Sequence, residues 1–440
     1  MVLNACAKKF SFEKGLFYVI LFSLFMLPPF RLFPDYFLFR LEDVLFPLAL
    51  LVVLDNKKNN VNPYSALLGA ISIYVLFTIL INHPYSTYRD FFEIYKVFKY
   101  IVFFLFFYHM IRKYEFKEYL RYLFYVVLAF NCFHYFNILG FNDIIEPFYV
   151  PDERLMFFGK NSAGDPATKR MMGTMSNPNN NGILFLFFAA IFAPSKQTFR
   201  KYDVVYFLSF LGLLLTQSRT GMVAFVVLTL LNIILNRLTY RKIFAQLICF
   251  VVIFIGINMV EFADIRLQKE LSPGDKKALT KKSSEMDRED YIPASQYLTN
   301  VVEDDISERF FSGRIETWKM LWDMVLDKPV FGHGPWKEYY YGHKIYSENE
   351  YILILWRYGF AGLVLYLLMI VFPLIYYFNR MDIRRSAPYV LFVAVILITA
   401  LMNNPINDQR ILLMFAFMNG LFFTDVLSLN DHEKTAPDRE

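Results

Sequence analysis

The feature that most constrains this chain is a series of apolar stretches that recur along it, most of them long enough to cross a bilayer. A helix needs about 20 predominantly apolar residues to cross a bilayer core of roughly 30 Å. The stretches occupy residues 15–33, 36–54, 64–82, 91–111, 119–139, 180–194, 203–217, 219–236, 243–261, 351–378, 388–403 and 410–428. We therefore predict an all-α integral membrane protein with about twelve transmembrane helices.

Composition excludes the soluble classes. Of the 440 residues, 56% are hydrophobic and only 19% are charged, whereas soluble domains carry about 25% charged residues. The 50 Phe and 30 Tyr residues suit lipid contact and interfacial belts. A net charge of +5, with no dense basic block, gives no support to nucleic-acid binding. The cysteines are too widely spaced for a metal site or a disulfide framework, and we expect no cleavable signal peptide.

The positions of Lys and Arg predict the orientation, because cytoplasmic loops carry an excess of both. Alternate short loops hold most of them: Lys57 and Lys58; Arg112, Lys113, Lys117 and Arg121; Lys196, Arg200 and Lys201; Arg237, Arg241 and Lys242; Arg380, Arg384 and Arg385. The opposite short loops hold mainly Arg31, Arg89, Arg219 and Arg410. Both termini are therefore predicted to be cytoplasmic, with the long segments 140–179 and 262–350 outside.

The predicted spans divide the chain into four parts. These are a bundle of about nine helices at 1–261, an extracytoplasmic loop domain at 262–350, about three further helices at 351–428 and a cytoplasmic tail at 429–440. Within the loop domain, the charged stretch Lys276–Asp290 is predicted to be mobile. An apolar stripe at Ile315–Val325 predicts a helix, and Gly313 and Pro329 mark its ends.

Four groups of polar motifs fall on the predicted outer face. They are GTMSNPNNNG at Gly173–Gly182, TQSRTG at Thr216–Gly221, SGRIETW at Ser312–Trp318 with KPVFGHGP at Lys328–Pro335, and YSENEYILILWRYGFAG at Tyr346–Gly362. Each motif has a structural and a functional interpretation. The asparagines suit turns, and Arg219 suits either a snorkelling position or an anionic ligand. Arg314 opposes the dipole of the helix that it begins, so it suits either a solvated position on the loop or a functional role. Glu348 and Glu350 suit a helix start or general-base chemistry.

A weaker polar set lies on the fourth predicted span. Glu93, Lys96 and Lys99 share one helical face. They either pair with one another or line a cavity for an anionic substrate. His333 and His343 have no partner at metal-binding spacing, so we predict no metal.

The order of these motifs resembles the bacterial O-antigen ligase and O-antigen polymerase superfamily. NPN is followed by two spans joined by QSRTG, a long outer loop with GRIETW, then PVFGHGP and ENEYILILWRYGFAGL, over about residues 170 to 370. The resemblance implies a GT-C-like membrane glycosyltransferase without metal or other cofactor, with an undecaprenyl-pyrophosphate-linked glycan as donor and a glycan or lipid as acceptor. It also implies the bacterial cytoplasmic (inner) membrane as location, and a flippase and a chain-length regulator as partners.

The resemblance implies roles for individual residues. Arg219 and Arg314 match the family arginines that act on the donor pyrophosphate, where they would stabilise the leaving group. Glu348 precedes Asn349 where the ligase branch typically has His-Asn, which favours a polymerase with Glu348 as general base and Glu350 in reserve. The residues expected to bind substrate are Asn177, Asn179, Asn349, Lys96 and Lys99.

Other functions stay open on the sequence alone. Within the class, the alternative is an O-antigen ligase that transfers glycan to lipid A core. A polysaccharide transporter (flippase) would also have about twelve spans, but transporters usually place charges near the midplane and show internal repeats. The clustering of the notable residues at one face ranks polymerase first, then ligase, transporter and a non-catalytic assembly partner.

Overall fold

The computed structural model describes residues 11–28, 30–33, 37–56, 63–141, 144, 145, 148, 170–195, 201–271, 314–342 and 347–435. In these parts of the chain the backbone is mainly α-helical. The helices are α1 Phe12–Met26, α2 Leu41–Asp55, α3 Pro63–Ile81, α4 Phe91–Lys113, α5 Lys117–Phe136, α6 Pro178–Ile191, α7 Asp203–Thr216, α8 Arg219–Asn236, α9 Tyr240–Leu271, α10 Arg314–Asp327, α11 Lys337–Gly342, α12 Glu350–Tyr376, α13 Ala387–Thr399 and α14 Gln409–Thr435. Short 3₁₀ turns lie at His83–Tyr85, Tyr88–Asp90, Ile138–Gly140, Gly173–Met175 and Phe378–Arg380.

Each of the twelve predicted stretches coincides with one of these helices. Five helical segments among the described residues are long and apolar enough to cross a membrane, and they lie in α3, α4, α8, α9 and α12. The structure therefore defines a multi-pass helical membrane protein, while the count of twelve spans and the GT-C-like loop domain stay predictions. Helix α9 continues to Leu271, past the predicted boundary at residue 261. The predicted mobile stretch Lys276–Asp290 lies outside the described residues.

The first predicted span differs from the structure at its end. Helix α1 stops at Met26 rather than residue 33, and an antiparallel hairpin follows, β1 Phe30–Phe33 with β2 Phe37–Phe39. The sequence Pro28-Pro29 explains the stop, because each proline lacks the N–H that a helix needs. The length of the apolar stretch alone therefore predicted a helix longer than the one observed.

Helix α6 lies at the centre of the bundle. Its residues from Asn181 to Ile191 are all buried, and it packs against α7 and α13. Helix α4 packs along α14, and α3 packs on α4 and α12. Apolar side chains on the outer helices, such as Ile73, Val223 and Phe244, are exposed on the protein surface. Large exposed apolar residues on long apolar helices are what contact with lipid requires.

The bundle has two polar ends of different character. At one end, Lys113 pairs with Glu13 and Lys201 pairs with Glu118. These lysines come from different basic loops, so the structure brings loops of the predicted cytoplasmic set together. At the other end lie the N-termini of α6 and α8, capped by Asn177 and Ser218. We call the latter the site end.

Helix α12 is interrupted at Gly359, where φ is 63° and ψ is −170°. The segment Pro329–Gly334 lies against the interruption and replaces the backbone hydrogen bonds that the helix loses. The N–H groups of His333, Gly334, Phe360 and Ala361 donate to the carbonyls of Trp356 (3.0 Å), Arg357 (2.7 Å), Pro329 (2.8 Å) and Val330 (3.3 Å) respectively. A Cβ on Gly332 would lie 2.5 Å from the Arg357 carbonyl. The KPVFGHGP motif therefore joins the end of α10 to the middle of α12, since irregular backbone inside a bundle needs such partners.

Candidate functional site

An ion pair at the site end joins two residues that sequence analysis proposed for catalysis. Arg314, the first residue of α10, pairs with Glu348, which immediately precedes the N-cap of α12. The Glu348 side chain is 41% exposed and that of Arg314 is 25% exposed, so a ligand can reach both. Trp318 of α10 donates its indole N–H to the Ser347 carbonyl, which holds the helix beside this carboxylate.

Arg170 connects the asparagine motif at Gly173–Gly182 with the arginine motif at Thr216–Gly221. Sequence analysis did not single it out. Its Nη2 donates to Asn179 Oδ1 at 2.8 Å, and its Nε donates to the Thr216 carbonyl at 3.2 Å. Ser218 Oγ also donates to Asn179 Oδ1, at 3.3 Å. The NPNNNG and QSRTG motifs therefore meet at Arg170. Within the first motif, Asn179 is the residue that Arg170 and Ser218 both contact.

The charges around Arg170 show that the arginine motifs share one site. Burial lowers the pKa of Arg170, Glu348 raises it, and Arg314 and Arg219 lower it further. These effects require Glu348, Arg314 and Arg219 to be near Arg170 in space. Arg170, which lies outside the motifs, and Arg219, Arg314 and Glu348, which come from three separate motifs, are thus close together. We call these four residues the arginine cluster.

Two of the asparagines proposed to bind substrate form helix caps. Asn177 Oδ1 accepts from the N–H groups of Asn179 and Asn180, and thereby caps α6. Asn349 Oδ1 accepts from the Ile352 N–H at 3.1 Å and caps α12. An amide oxygen used in this way positions the helix that carries the neighbouring polar residues.

A partly open cavity of about 90 Å³ lies next to the arginine cluster, inside the bundle. Its polar wall contains Glu93, Lys96, Glu350, Arg357 and Asn407. The other lining residues are mainly apolar, and they come from α3, α4, α12, the start of α14 and Ile406 just before it. We call this space the inner cavity.

The ionic groups of the inner cavity contact one another. Glu93 pairs with Lys96 at 2.8 Å and with Lys337 at 2.9 Å. Lys96 also donates to Asn407 Oδ1 at 3.2 Å, and Arg357 Nη1 approaches the same oxygen at 3.4 Å. Lys96 therefore lines the cavity and also pairs with Glu93. The sequence suggests these two arrangements as alternatives, and the structure shows both.

Glu350 and Lys99 lie in different surroundings from Glu348. The Glu350 carboxylate is 1% exposed and accepts from the Ile406 N–H at 2.9 Å and from the Tyr366 hydroxyl at 3.2 Å. It lines the inner cavity, two residues after Glu348. The Lys99 ammonium pairs with Asp43 at 2.5 Å and is 2% exposed. Glu350 therefore lines the inner cavity, whereas Lys99 does not line it and pairs with Asp43 instead.

The loop between α13 and α14 links the arginine cluster to the inner cavity, and sequence analysis did not single it out. Ser347 Oγ contacts Asn404 Oδ1 at 3.4 Å, Asn407 contacts Lys96, and Asp408 accepts from Asn180 at 2.9 Å. These residues have no motif of their own. Arg357 did carry a signal, because an arginine within the predicted span 351–378 is costly unless it has a function or a partner.

The described residues hold no group of three or more His, Cys, Asp or Glu side chains that could bind a metal ion. His333 Nε2 instead contacts the Met324 carbonyl at 2.8 Å. His343 lies outside the described residues.

The fold and the two polar sites define the class: a multi-pass helical membrane protein with one charged site at an end of its helix bundle and a second one inside the bundle. A family model described as O-antigen ligase matches residues 204–367. This match confirms the resemblance to the O-antigen ligase and polymerase superfamily, a family of glycosyltransferase-like enzymes. Arg219, Arg314, Glu348 and Arg357 all lie within it. No curated protein matches the chain in sequence.

Proposed function

We propose that the protein is a surface-polysaccharide polymerase. It transfers a growing glycan from undecaprenyl pyrophosphate to a lipid-linked repeat unit at the outer face of the bacterial cytoplasmic membrane. The observation that carries the proposal is the arginine cluster, in which Arg314 pairs with Glu348, and both lie, with Arg219, near enough to Arg170 to act on its charge. Three guanidinium groups against one carboxylate leave an excess of positive charge that suits a pyrophosphate.

The proposed reaction uses both signs of charge in the cluster. The bond between the anomeric carbon of the donor sugar and the pyrophosphate oxygen breaks, and the lipid pyrophosphate leaves with the electron pair. A hydroxyl oxygen of the acceptor sugar forms the new bond to that carbon, and Glu348 accepts its proton. Arginines positioned beforehand stabilise the charge that grows on the leaving group. Attack from the opposite side inverts the anomeric centre.

The ion pair makes the base dependent on the donor. While Arg314 is paired with Glu348, the guanidinium occupies the carboxylate. A bound pyrophosphate competes for the Arg314 guanidinium and leaves the Glu348 carboxylate available to the acceptor hydroxyl.

The residue type at position 348 favours a polymerase over a ligase. The ligase branch that the sequence resembles typically has a histidine there, and this chain has a glutamate. The alternative ligase would transfer the finished glycan to lipid A core. A transporter is supported only by the charges of the inner cavity, which lie within the bundle as transport sites do.

The test is a gel of surface and lipid-linked glycans from a deletion strain complemented with wild type, Arg314→Ala or Arg384→Ala. Arg384 is exposed on a short loop of the predicted cytoplasmic set and serves as the matched control. A polymerase predicts lipid A core with a single repeat unit in the deletion and Arg314→Ala strains, and long chains with wild type and the control. Bare core with polymer on the carrier lipid would indicate a ligase instead. Unchanged glycans in the deletion strain would contradict both.

A further inference from the structure

We infer that Asn404 and Trp318 bind the acceptor sugar next to Glu348. The inference rests on the proposed polymerase function and deepens it, because a base must hold the hydroxyl group from which it takes a proton. The ligand is the terminal sugar residue of the repeat unit, a neutral or charged ring with several hydroxyl groups. We call Trp318, Glu348 and Asn404 together the sugar site.

Ser347 brings the two side chains to the proposed base. The Trp318 indole N–H donates to the Ser347 carbonyl, and the Ser347 hydroxyl approaches Asn404 Oδ1 at 3.4 Å. Ser347 is buried, and Glu348 follows it directly in the chain. Trp318 lies on α10, and Asn404 lies on the loop between α13 and α14. Three separate segments therefore meet at Glu348, whose side chain is 41% exposed.

The backbone at Glu348 has an uncommon conformation. Its φ is 42°, in the left-handed region that residues with a side chain seldom adopt. The hydrogen bonds that follow it fix the chain, since Asn349 Oδ1 caps α12 and the Glu350 N–H donates to the Ala400 carbonyl at 2.9 Å. Strain of this kind persists only where the surrounding structure imposes it, and it is concentrated at ligand-binding and catalytic sites.

The chemistry of the sugar site suits a carbohydrate. A carboxamide has two N–H donors and a carbonyl acceptor, and Asn404 Nδ2 has no hydrogen-bond partner among the described residues. Asn404 is partly exposed, so these donors can reach a sugar hydroxyl. The face of an aromatic ring carries partial negative charge, which favours contact with the C–H groups of a sugar ring. Trp318, also partly exposed, provides such a ring, and Glu348 provides an acceptor for the reacting hydroxyl.

The loop that carries Asn404 is fixed by other residues. The Ile406 N–H donates to the Glu350 carboxylate at 2.9 Å, and Asp408 accepts from Asn180 at 2.9 Å. The contact of Asn404 itself, at 3.4 Å, is at the long limit for a hydrogen bond. Fold stability therefore depends little on Asn404. A polar side chain with unused donors on a fixed loop is preorganised for binding.

The test measures binding of the repeat unit without its lipid. The probe is the single repeat-unit oligosaccharide, released by mild acid from lipid-linked glycans of the deletion strain and labelled with tritium at its reducing end. This probe lacks the pyrophosphate, so it cannot bind as the donor does. With full-length protein in lipid nanodiscs, Asn404→Ala should weaken binding about tenfold, by loss of one hydrogen bond. Asn404→Leu, which nearly keeps the volume of the side chain, should show the same loss.

A matched control and two further variants separate sugar binding from support of the fold. Asn56→Ala, at the end of α2 before Lys57, should bind as wild type does. Ser347→Ala removes the contact with Asn404 and should also keep nearly normal affinity. Trp318→Phe keeps an aromatic ring but loses the N–H that donates to Ser347, and it should bind more tightly than Trp318→Ala.

Three outcomes would overturn the inference. They are a wild-type protein that does not bind the oligosaccharide, unchanged affinity in both Asn404 variants, and equal losses in Ser347→Ala and Asn404→Ala. The last would show that Asn404 acts only through Ser347. The glycan gel tests the polymerase separately. Asn404-dependent binding together with the ligase pattern on the gel would contradict only the proposed function, whereas the polymerase pattern with unchanged binding in the Asn404 variants would contradict only the inference.

Discussion

Arg314 and Glu348 form an ion pair at the site end of the bundle, between the first residue of α10 and the residue before the N-cap of α12. The pair joins α10, which lies between α9 and α12 in the sequence, to the membrane helices. It also places the proposed cation for the leaving group in contact with the proposed base for the acceptor. Substrate can therefore act on both residues by separating them.

Exchange of the two charges tests whether this pair binds substrate or only stabilises the fold. We expect Arg314→Glu and Glu348→Arg each to reduce polymer by about a hundredfold or more, as loss of a preorganised transition-state contact does. The double exchange should restore the ion pair but not the polymer, because the pyrophosphate still meets the wrong charge at position 314. Glycan gels measure the polymer, and protein abundance reports whether the restored ion pair supports folding. Recovery of polymer in the double variant would assign the pair a structural role.

Arg170 should be as important as the arginines that the motifs indicated. Arg170→Lys keeps the charge but loses the two-point contact with Asn179 and the Thr216 carbonyl. We expect polymer to fall at least about tenfold in Arg170→Lys, with more loss in Arg170→Ala. Chain-length distributions on glycan gels provide the measurement, with Arg384→Ala as the control. Wild-type chains in Arg170→Ala would remove Arg170 from the site.

Gly359 should not tolerate a side chain. Its φ of 63° with ψ of −170° is a conformation that L residues avoid, and a Cβ would lie 2.2 Å from the Val330 carbonyl oxygen. Gly359→Ala should destabilise the protein by about 3 kcal/mol or more. Gly69→Ala is the matched control, since no atom lies within 4 Å of a Cβ there. That variant should leave the melting temperature in detergent unchanged or slightly raised. Equal melting temperatures for both variants would contradict the described helix interruption.

Lys99 is expected to stabilise the fold rather than bind substrate. Lys99→Met leaves the Asp43 carboxylate, which is 10% exposed, without its cation, and should cost about 3 kcal/mol. Lys99→Met with Asp43→Asn removes both charges and should recover most of the stability, with normal glycan. Lys96→Met changes a lysine that lines the inner cavity, and its stability and glycans are compared with those of the Lys99 variants. A stable double variant without polymer would return Lys99 to the substrate site.

His333 should make stability depend on pH. Burial lowers the pKa of His333, and nearby Lys328 lowers it further. The unfolded chain thus binds a proton more readily than the folded protein below about pH 6.5. Stability from the neutral imidazole is complete above that pH and is lost as the pH falls toward the folded pKa. His333→Gln, which can still donate to the Met324 carbonyl, should flatten part of the melting-temperature decline between about pH 7 and 5. An unchanged pH profile would mean that His333 does not titrate in this range.

The sequence by itself determined the class of protein and the approximate positions of its helices. Apolar length is a local property, so each predicted stretch could be recognised without knowledge of its neighbours. The prolines at 28 and 29 show the limit, because they end α1 at Met26 within an apolar stretch. The motif order also sufficed for the resemblance to the O-antigen ligase and polymerase superfamily, which the family model supports, and it indicated Arg219, Arg314 and Glu348.

Only the tertiary structure decided which polar residues share a site. Arg170 and Asn407 come from segments far apart in the chain, and none of the motifs contains them. The structure also separated Lys96, on the cavity wall, from Lys99, which is paired with Asp43, although both share one helical face by spacing. Helical periodicity gives the direction of a side chain, but the neighbouring helix decides whether that side chain meets a carboxylate or an open space. That neighbour is set by the packing of the whole bundle, which local sequence does not encode.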